Sequence, residues 1–128
     1  DSPTRSVQAY DLDPDTGEIS NGRTFIQLRD GEGFVDGATV DCEGGYWLAN
    51  VAAGRLRRYL PDGTLDRIVE LPFSNPTKPA FGGPDLKTLY VTSTKMEMAS
   101  FMEPTAPNGG IYQLRPGETG VPEVPFAG

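Results

Sequence analysis

Residues 41–72 read DCEGGYWLANVAAGRLRRYLPDGTLDRIVELP. Two turn signatures, Glu43-Gly44-Gly45 and Pro61-Asp62-Gly63, separate short runs of aromatic, branched and leucine side chains. Runs of strand length with Gly and Pro confined to their ends predict antiparallel strands joined by tight turns. The predicted strands are ATVDC (38–42), YWLANV (46–51), RLRRYL (55–60) and LDRIVEL (65–71). Alternation through 55–60 puts Arg55, Arg57 and Tyr59 on one face and Leu56, Arg58 and Leu60 on the other, and the arginines read as a solvated strand face. Cys42, the single cysteine, reads as a small buried strand residue.

The same pattern returns downstream. GGPDLKTLYVTSTKMEMASFMEPTAPNGGIYQLRPGETGVPEVPF (82–126) aligns with 41–72, and Trp47 falls on Tyr90, a spacing of 43 residues. That is the period of a four-stranded propeller blade. Upstream, SVQAYDL (6–12) and RTFIQL (23–28), the latter after an Asn21-Gly22 turn, match the second half of the repeat. KPAF (78–81), TLYVTS (88–93), GIYQL (110–114) and VPEVPF (121–126) complete the predicted strands. No stretch has useful helical periodicity. The expected fold is all-β: about three blades, half of a six-bladed β-propeller, with antiparallel four-stranded blades. Residues 1–33 would end one blade, 34–77 form a second, and 78–128 form a third carrying an insertion at 94–109. Met96, Met98, Phe101 and Met102 make that insertion unusually apolar for a loop. It is expected to pack on the blade or over the channel mouth, with a lid or partner contact as the alternative.

Composition excludes several functions. The 128 residues carry a net charge of −7, which disfavours nucleic acid and anionic membrane surfaces as partners. No apolar run reaches the length of a membrane span. One cysteine permits no intrachain disulfide, which leans away from a stapled secreted module and towards the cytoplasm without fixing a compartment. There is no histidine, so Ser-His and Cys-His pairs cannot be built within the chain. Any metal site must be made mainly of oxygen.

Several motifs are weak. DLDPDTGEISNG (11–22) spaces Asp11, Asp13 and Asp15 like a calcium loop but lacks Gly at the sixth position and Glu at the twelfth, and reads as a polar hairpin connection. GEGFVDG (31–37) precedes no helix and misses the dinucleotide fingerprint. Glu97 and Glu103 read as solvated loop charges. FVDG (34–37) leaves two readings open: Asp36 begins an Asp-Gly turn at the mouth of a hairpin, or it ligates a metal.

The order DPDTGEISNGRTF, DGATVDCEGGYWLA, GRLRRYLPDGTL, AFGGPDLKTLYVTS, GGIYQL and PFAG resembles the family of senescence marker protein, gluconolactonase and luciferin-regenerating enzyme. The likeness runs the length of the chain and corresponds to the C-terminal half of such proteins. It implies a six-bladed propeller with one divalent metal ion (Ca, Zn, Mn or Mg) in its channel and hydrolysis of sugar lactones. Asp36 falls on a family metal ligand and is the candidate catalytic and metal-binding residue, although Val35 replaces the usual preceding proline. The other ligands implied by the family lie outside these 128 residues.

The resemblance thus implies part of a metal-dependent lactonase-like hydrolase, inactive alone, with a small-molecule lactone as substrate. A missing N-terminal half, or a second copy, would close the ring. Alternatives are a non-catalytic metal- or ligand-binding propeller of the same lineage, and a half-propeller assembling as a homo-oligomer with two copies of Asp36 facing one channel.

Overall fold

A computed structural model of the chain describes residues 1–97 and 100–125. Nine strands follow one another, and no helix occurs among the described residues: β1 (Ser6–Leu12), β2 (Ile19–Gln27), β3 (Phe34–Val40), β4 (Tyr46–Val51), β5 (Arg55–Tyr59), β6 (Leu65–Glu70), β7 (Pro76–Gly82), β8 (Thr88–Ser93) and β9 (Ile111–Leu114). They form three antiparallel sheets in the orders β1-β2, β3-β4-β5-β6 and β7-β8-β9. Sequential hairpins of this kind follow directly from the turn chemistry. Gly44 and Gly63 take φ of +81° and +85° at the turns after β3 and β5, a backbone region that favours glycine.

The sheets pack face to face, with β7 against β3 and β4. Between the second and third sheets lies a cluster of Trp47, Ala49, Leu56, Phe73, Leu89 and Val91. The Trp47 ring meets Phe81 edge-on at 6.3 Å, and Phe73 stacks on Tyr112 at 4.1 Å. A second cluster, Ile26, Leu28, Val35, Leu48 and Tyr59, fills the space between the first and second sheets. The second sheet is therefore covered on both faces, which is why five consecutive residues of β4, Trp47–Val51, are buried. Each fully buried large apolar side chain contributes about 1.5–3 kcal/mol. Tyr90 alternates with the buried Leu89 and Val91 and stands on the opposite, exposed face of its sheet. Its repeat partner Trp47 lies on a face that the third sheet covers.

The structure corrects four expectations. Asn21 and Gly22 are not a turn but lie within β2, at a bulge where the register steps from Ala9↔Arg23 to Asp11↔Ser20. Asn21 takes φ +50° there, and a side chain at Gly22 would strike the Tyr10 ring at 2.7 Å. The hairpin turn comes earlier, where the Asp13 carboxylate accepts the N–H groups of Asp15 and Thr16.

Cys42 is exposed in the turn after β3, and its neighbour Asp41 is the buried residue. Arg57 and Arg58 are buried, not solvated, because β5 sits inside a sheet covered on both sides. Finally, residues 121–125 form no strand: Pro122 and Pro125 offer no N–H to a ladder, and Val121 and Val124 are exposed. Phe126 lies outside the described residues, as do Met98 and Ala99 of the insertion.

The insertion packs back on the chain. Phe101 N–H donates to the Ala52 carbonyl at 2.7 Å, and Thr105 and Ala106 N–H both donate to the Pro72 carbonyl at 2.8 Å. Met102 lies against Gly54, where a Cβ would fall 1.9 Å from its sulfur.

Candidate functional site

Asp36 is not at a turn. It sits inside β3, where the register steps from Val35↔Asn50 to Ala38↔Leu48. Asp36 and Gly37 together oppose the single residue Ala49, a bulge of the kind that re-aims a side chain. Gly37 is required by β7: a Cβ there would lie 2.7 Å from the Thr77 carbonyl oxygen and 2.6 Å from Lys78 Cδ. The Val35 side chain, in the place of the family's proline, is buried in the core between the first two sheets. A buried anchor thus precedes the bulge and a tight interstrand approach follows it.

Asp36 is exposed as a residue, but neighbouring atoms displace part of the water from its carboxyl and hold it above the usual carboxylate range, with the Gly37 N–H opposing the effect. Among the described residues it takes part in no ion pair. Lys78, whose stem lies beside Gly37, donates its Nζ to the Ala38 carbonyl, and the Arg5 guanidinium lies over the Phe34 ring at 5.0 Å and pairs with Asp30.

Asp36 lines two adjoining cavities. One, of about 530 Å³, is walled by Phe34, Val35, Val51 and Met96, with Ser2, Thr77 and Thr94 supplying hydroxyls. The other, of about 500 Å³, lies towards the first sheet and includes Gln8 and Tyr46. Among the described residues Asp36 is the sole ionisable side chain in the first cavity's lining.

A second acidic centre lies just beyond the other end of β3. Asp41 is only 1% exposed. Its Oδ1 accepts the N–H groups of Glu43 (3.0 Å) and Gly45 (2.8 Å). Its Oδ2 accepts Trp47 Nε1 and Arg58 Nε, each at 2.8 Å. Burial pushes this carboxyl up, but those donors outweigh it and the net shift is downward. Arg58 also reaches Glu43 and Asp66, and its guanidinium is held above its ordinary range chiefly by Asp41. Arg67 lies over the Trp47 ring at 5.7 Å and pairs with Glu118. Both oxygens of Asp41 are fully engaged, so this carboxylate has no open valence for a ligand, while at the edge of the cluster Glu118 Oε2 is buried without a hydrogen-bond partner. The cluster fastens the β3–β4 turn to β5.

The remaining sequence candidates separate. Asp11 pairs with Arg23 and Asn21, and Asp13 caps its own turn, so the two aspartates do not converge. Glu97 and Glu103 are both exposed. No group of three or more His, Cys, Asp or Glu side chains converges among the described residues. Phe34, Thr77 and Thr94 were not singled out from the sequence. Phe34 lies at the start of β3, while Thr77 and Thr94 are brought beside it only by the packing of β7 and the end of β8. Met96 had one visible signal, the apolar content of the insertion.

The family description that matches residues 1–95 is the SMP-30/gluconolactonase/LRE-like region. The chain belongs to this family. It is 39% identical over 131 residues to a regucalcin of Xenopus laevis, aligning along all of this chain and 44% of that protein. It is similar over the same shares to a putative sugar lactone lactonase of Bacillus subtilis, at 33% identity, and to a 6-deoxy-6-sulfogluconolactonase of Pseudomonas putida, at 35%. Among solved structures, a luciferin-regenerating enzyme superposes with a TM-score of 0.85 at 34% identity, covering 94% of this chain and 41% of that one. A calcium-binding regucalcin from Agrobacterium tumefaciens superposes at 0.80 and 29%, covering 94% and 42%. The fold is that of half a six-bladed β-propeller, and the chain spans less than half the length of the relatives it matches.

Proposed function

We propose that the chain forms part of a lactone-opening hydrolase and that Asp36 is its contribution to a divalent-metal site. The observation that carries this reading is a partly desolvated carboxylate without a cationic partner, set by a bulge at the wall of a cavity. A carboxylate of that kind suits a hard cation, and with no histidine in the chain the available donor set is oxygen. The residues fit an oxygen-ligated ion and supply one carboxylate to it. The remaining ligands would come from outside these 128 residues or from a second copy.

When bound, a divalent ion supplies Lewis acidity that polarises the lactone carbonyl and acidifies the attacking water. Asp36 orients that water and accepts its proton as the oxygen adds to the carbonyl carbon. The ring C–O bond then breaks, its alkoxide takes up a proton, and a hydroxy acid leaves. Of the lining hydroxyls, Ser2 donates to the Val35 carbonyl and Thr77 pairs with Thr92, whereas Thr94, which accepts the Met96 N–H, keeps its O–H to donate to a polar substrate edge. The grouping of strands into β1-β2, β3–β6 and β7–β9 supports three blades with boundaries close to those expected at 33/34 and 77/78, the second lying within the first residues of β7, which begins at Pro76. In this reading the chain alone is inactive.

The test is metal-dependent acid release from aldonolactones by the protein that carries this chain. Asp36→Ala should lower the rate by about a hundredfold or more, since even groups that only orient metal ligands are worth about 10–100-fold. A wild-type rate in that variant removes the assignment. A non-catalytic metal-binding propeller is favoured by the calcium-binding relative. Metal binding that Asp36→Ala weakens, without turnover of any lactone, selects that second reading.

A further inference from the structure

Asn50 lies near the end of β4 and is fully buried, yet neither its side-chain Nδ2 nor its Oδ1 has a hydrogen-bond partner. Among the described residues it is the one buried side chain with two unmatched polar atoms. A carboxamide brings two N–H donors and one carbonyl acceptor, and buried groups of that kind in native proteins are paired with protein or with ordered water. The ladder assigns its face. Asn50 is two residues from Leu48 and opposite Val35, and both of those side chains belong to the cluster between the first and second sheets. This chain's own residues therefore enclose the Asn50 amide, without help from anything outside it.

A third unmatched atom lies on the same face. Arg57 is buried and pairs with Leu48 across β4 and β5, which puts it diagonal to Asn50 and within reach of a long side chain. Its Nη2 donates to Glu32 Oε1 at 2.8 Å, while its Nε is buried without a partner. Glu32 also accepts the Arg29 N–H, and Gly33 beside it abuts the end of β4, where a Cβ would fall 2.6 Å from the Val51 carbonyl oxygen. To reach Glu32, the Arg57 side chain runs from the level of Leu48 towards that of Val51, and so passes Asn50.

We propose that Asn50 and Arg57 hold an internal water molecule between the first and second sheets, one that bridges Arg57 Nε to Asn50 Oδ1. Water is the ligand whose chemistry fits. Its oxygen accepts the Arg57 Nε–H while one of its O–H groups donates to the amide carbonyl, and its remaining valences serve a further water on Asn50 Nδ2. A halide would take the N–H donors, but it would leave Oδ1 bare and stand near the Glu32 carboxylate. The site lies beside the Asp36 bulge, since Asn50 pairs with Val35. The water steadies the guanidinium that ties β5 to the β2–β3 loop, the segment from which the Asp36 strand departs. Neither a metal nor a lactone takes part in holding it.

A crystal structure of the protein that carries this chain, at a resolution that locates water, is the test. The expected result is an ordered water at hydrogen-bonding distance, about 2.7–3.2 Å, from both Asn50 and Arg57 Nε. An Asn50 amide turned onto protein groups, with no water between it and Arg57, overturns the proposal. So does a bromide soak that puts an anomalous peak there, since the ligand is then an anion. In solution, magnetic relaxation dispersion counts the water molecules that stay inside the protein. Asn50→Leu, which keeps the size of the side chain and removes both polar atoms, should lower that count by at least one. A folded Asn50→Leu protein with the wild-type count also overturns the proposal. The wild-type crystal decides the matter even where this variant does not fold.

Discussion

Asp36 and Asp41 are five residues apart on the same edge of the same sheet, and they meet opposite fates. Asp41 is buried, accepts four hydrogen bonds and is driven below the usual carboxylate range. Asp36 is exposed at its strand bulge, pairs with no cation and is driven above that range by loss of water. Burial raises both. What separates them is the supply of donors, since a carboxylate that receives enough N–H groups is stabilised as an anion even where water is excluded. The first carboxylate is satisfied inside the fold, whereas the second is available to something outside it.

The sharpest way to break this contrast is to remove Asp41. Asp41→Ala leaves the Arg58 guanidinium buried against a void and orphans the Trp47 indole N–H and two turn amides. Breaking a buried pair from one side costs about 3–5 kcal/mol. Urea unfolding should show that loss, with the midpoint falling and the slope unchanged. The same pair predicts a pH dependence. The folded Asp41 carboxyl titrates below its unfolded value, so its contribution is fully present above about pH 4. It is lost as pH falls through the depressed folded value. In Asp41→Ala that part of the acid sensitivity should disappear. A variant as stable as wild type would mean that the cluster does not fasten the β3–β4 turn.

A milder change attacks the same pair by volume rather than by charge. Gly45 has an ordinary φ, so alanine is tolerated by the backbone. Its Cβ, however, would fall 2.4 Å from Arg58 Nε and 2.5 Å from Asp41 Oδ2, splitting the ion pair. Overpacking of this kind costs about 1–3 kcal/mol. Thermal unfolding of Gly45→Ala should show a lowered Tm. No change would place the freedom to relax in the turn rather than in β5.

These two predictions concern residues whose importance is unevenly written in the sequence. The strand pattern was legible: β1, β4 and β8 have the limits that alternation and turn residues suggest, because hairpin chemistry is local. The burial of Arg57 and Arg58 was not. Alternation assigns faces but cannot say that both faces of β5 are covered. The partners also come from far along the chain: Glu32 for Arg57, 25 residues away, and Asp41 for Arg58, 17 away.

Cys42 failed for a related reason, since the strand ends at Val40 and the buried side chain that follows is the charged one. At the candidate site, Asp36 was singled out by a resemblance and not by its own pattern. The bulge that aims it depends on Gly37 meeting β7, a contact between sheets. Phe34, Thr77 and Thr94 form a wall only after the third sheet packs on the second, which no local pattern encodes.

Within the Asp41 cluster, Glu43 tests how far the buried character extends. Its carboxylate meets Arg58 Nη2 at 2.8 Å but its side chain is 67% exposed. An exposed arm of an ion pair contributes about 0–1 kcal/mol. Glu43→Gln should therefore shift the urea midpoint slightly at low salt and negligibly at high salt, where screening removes the Coulomb term. A loss as large as that of Asp41→Ala would show that Arg58 depends on its network as a whole.

Asp36→Asn sets the other end of the comparison. A carboxyl whose folded pKa lies above its unfolded value binds its proton more tightly when folded, so its ionised form opposes folding at neutral pH. The amide keeps the shape and carries no charge to desolvate. Metal-free protein with Asp36→Asn should therefore be as stable as wild type or slightly more so, within about 0.5 kcal/mol, the range of substitutions away from packed features. Thermal unfolding in chelator checks this, and metal titration of the same samples should show weakened binding. A marked destabilisation without metal would make Asp36 a second Asp41, a residue the fold uses for itself. Retained stability with lost binding would separate the two aspartates as their hydrogen bonds do.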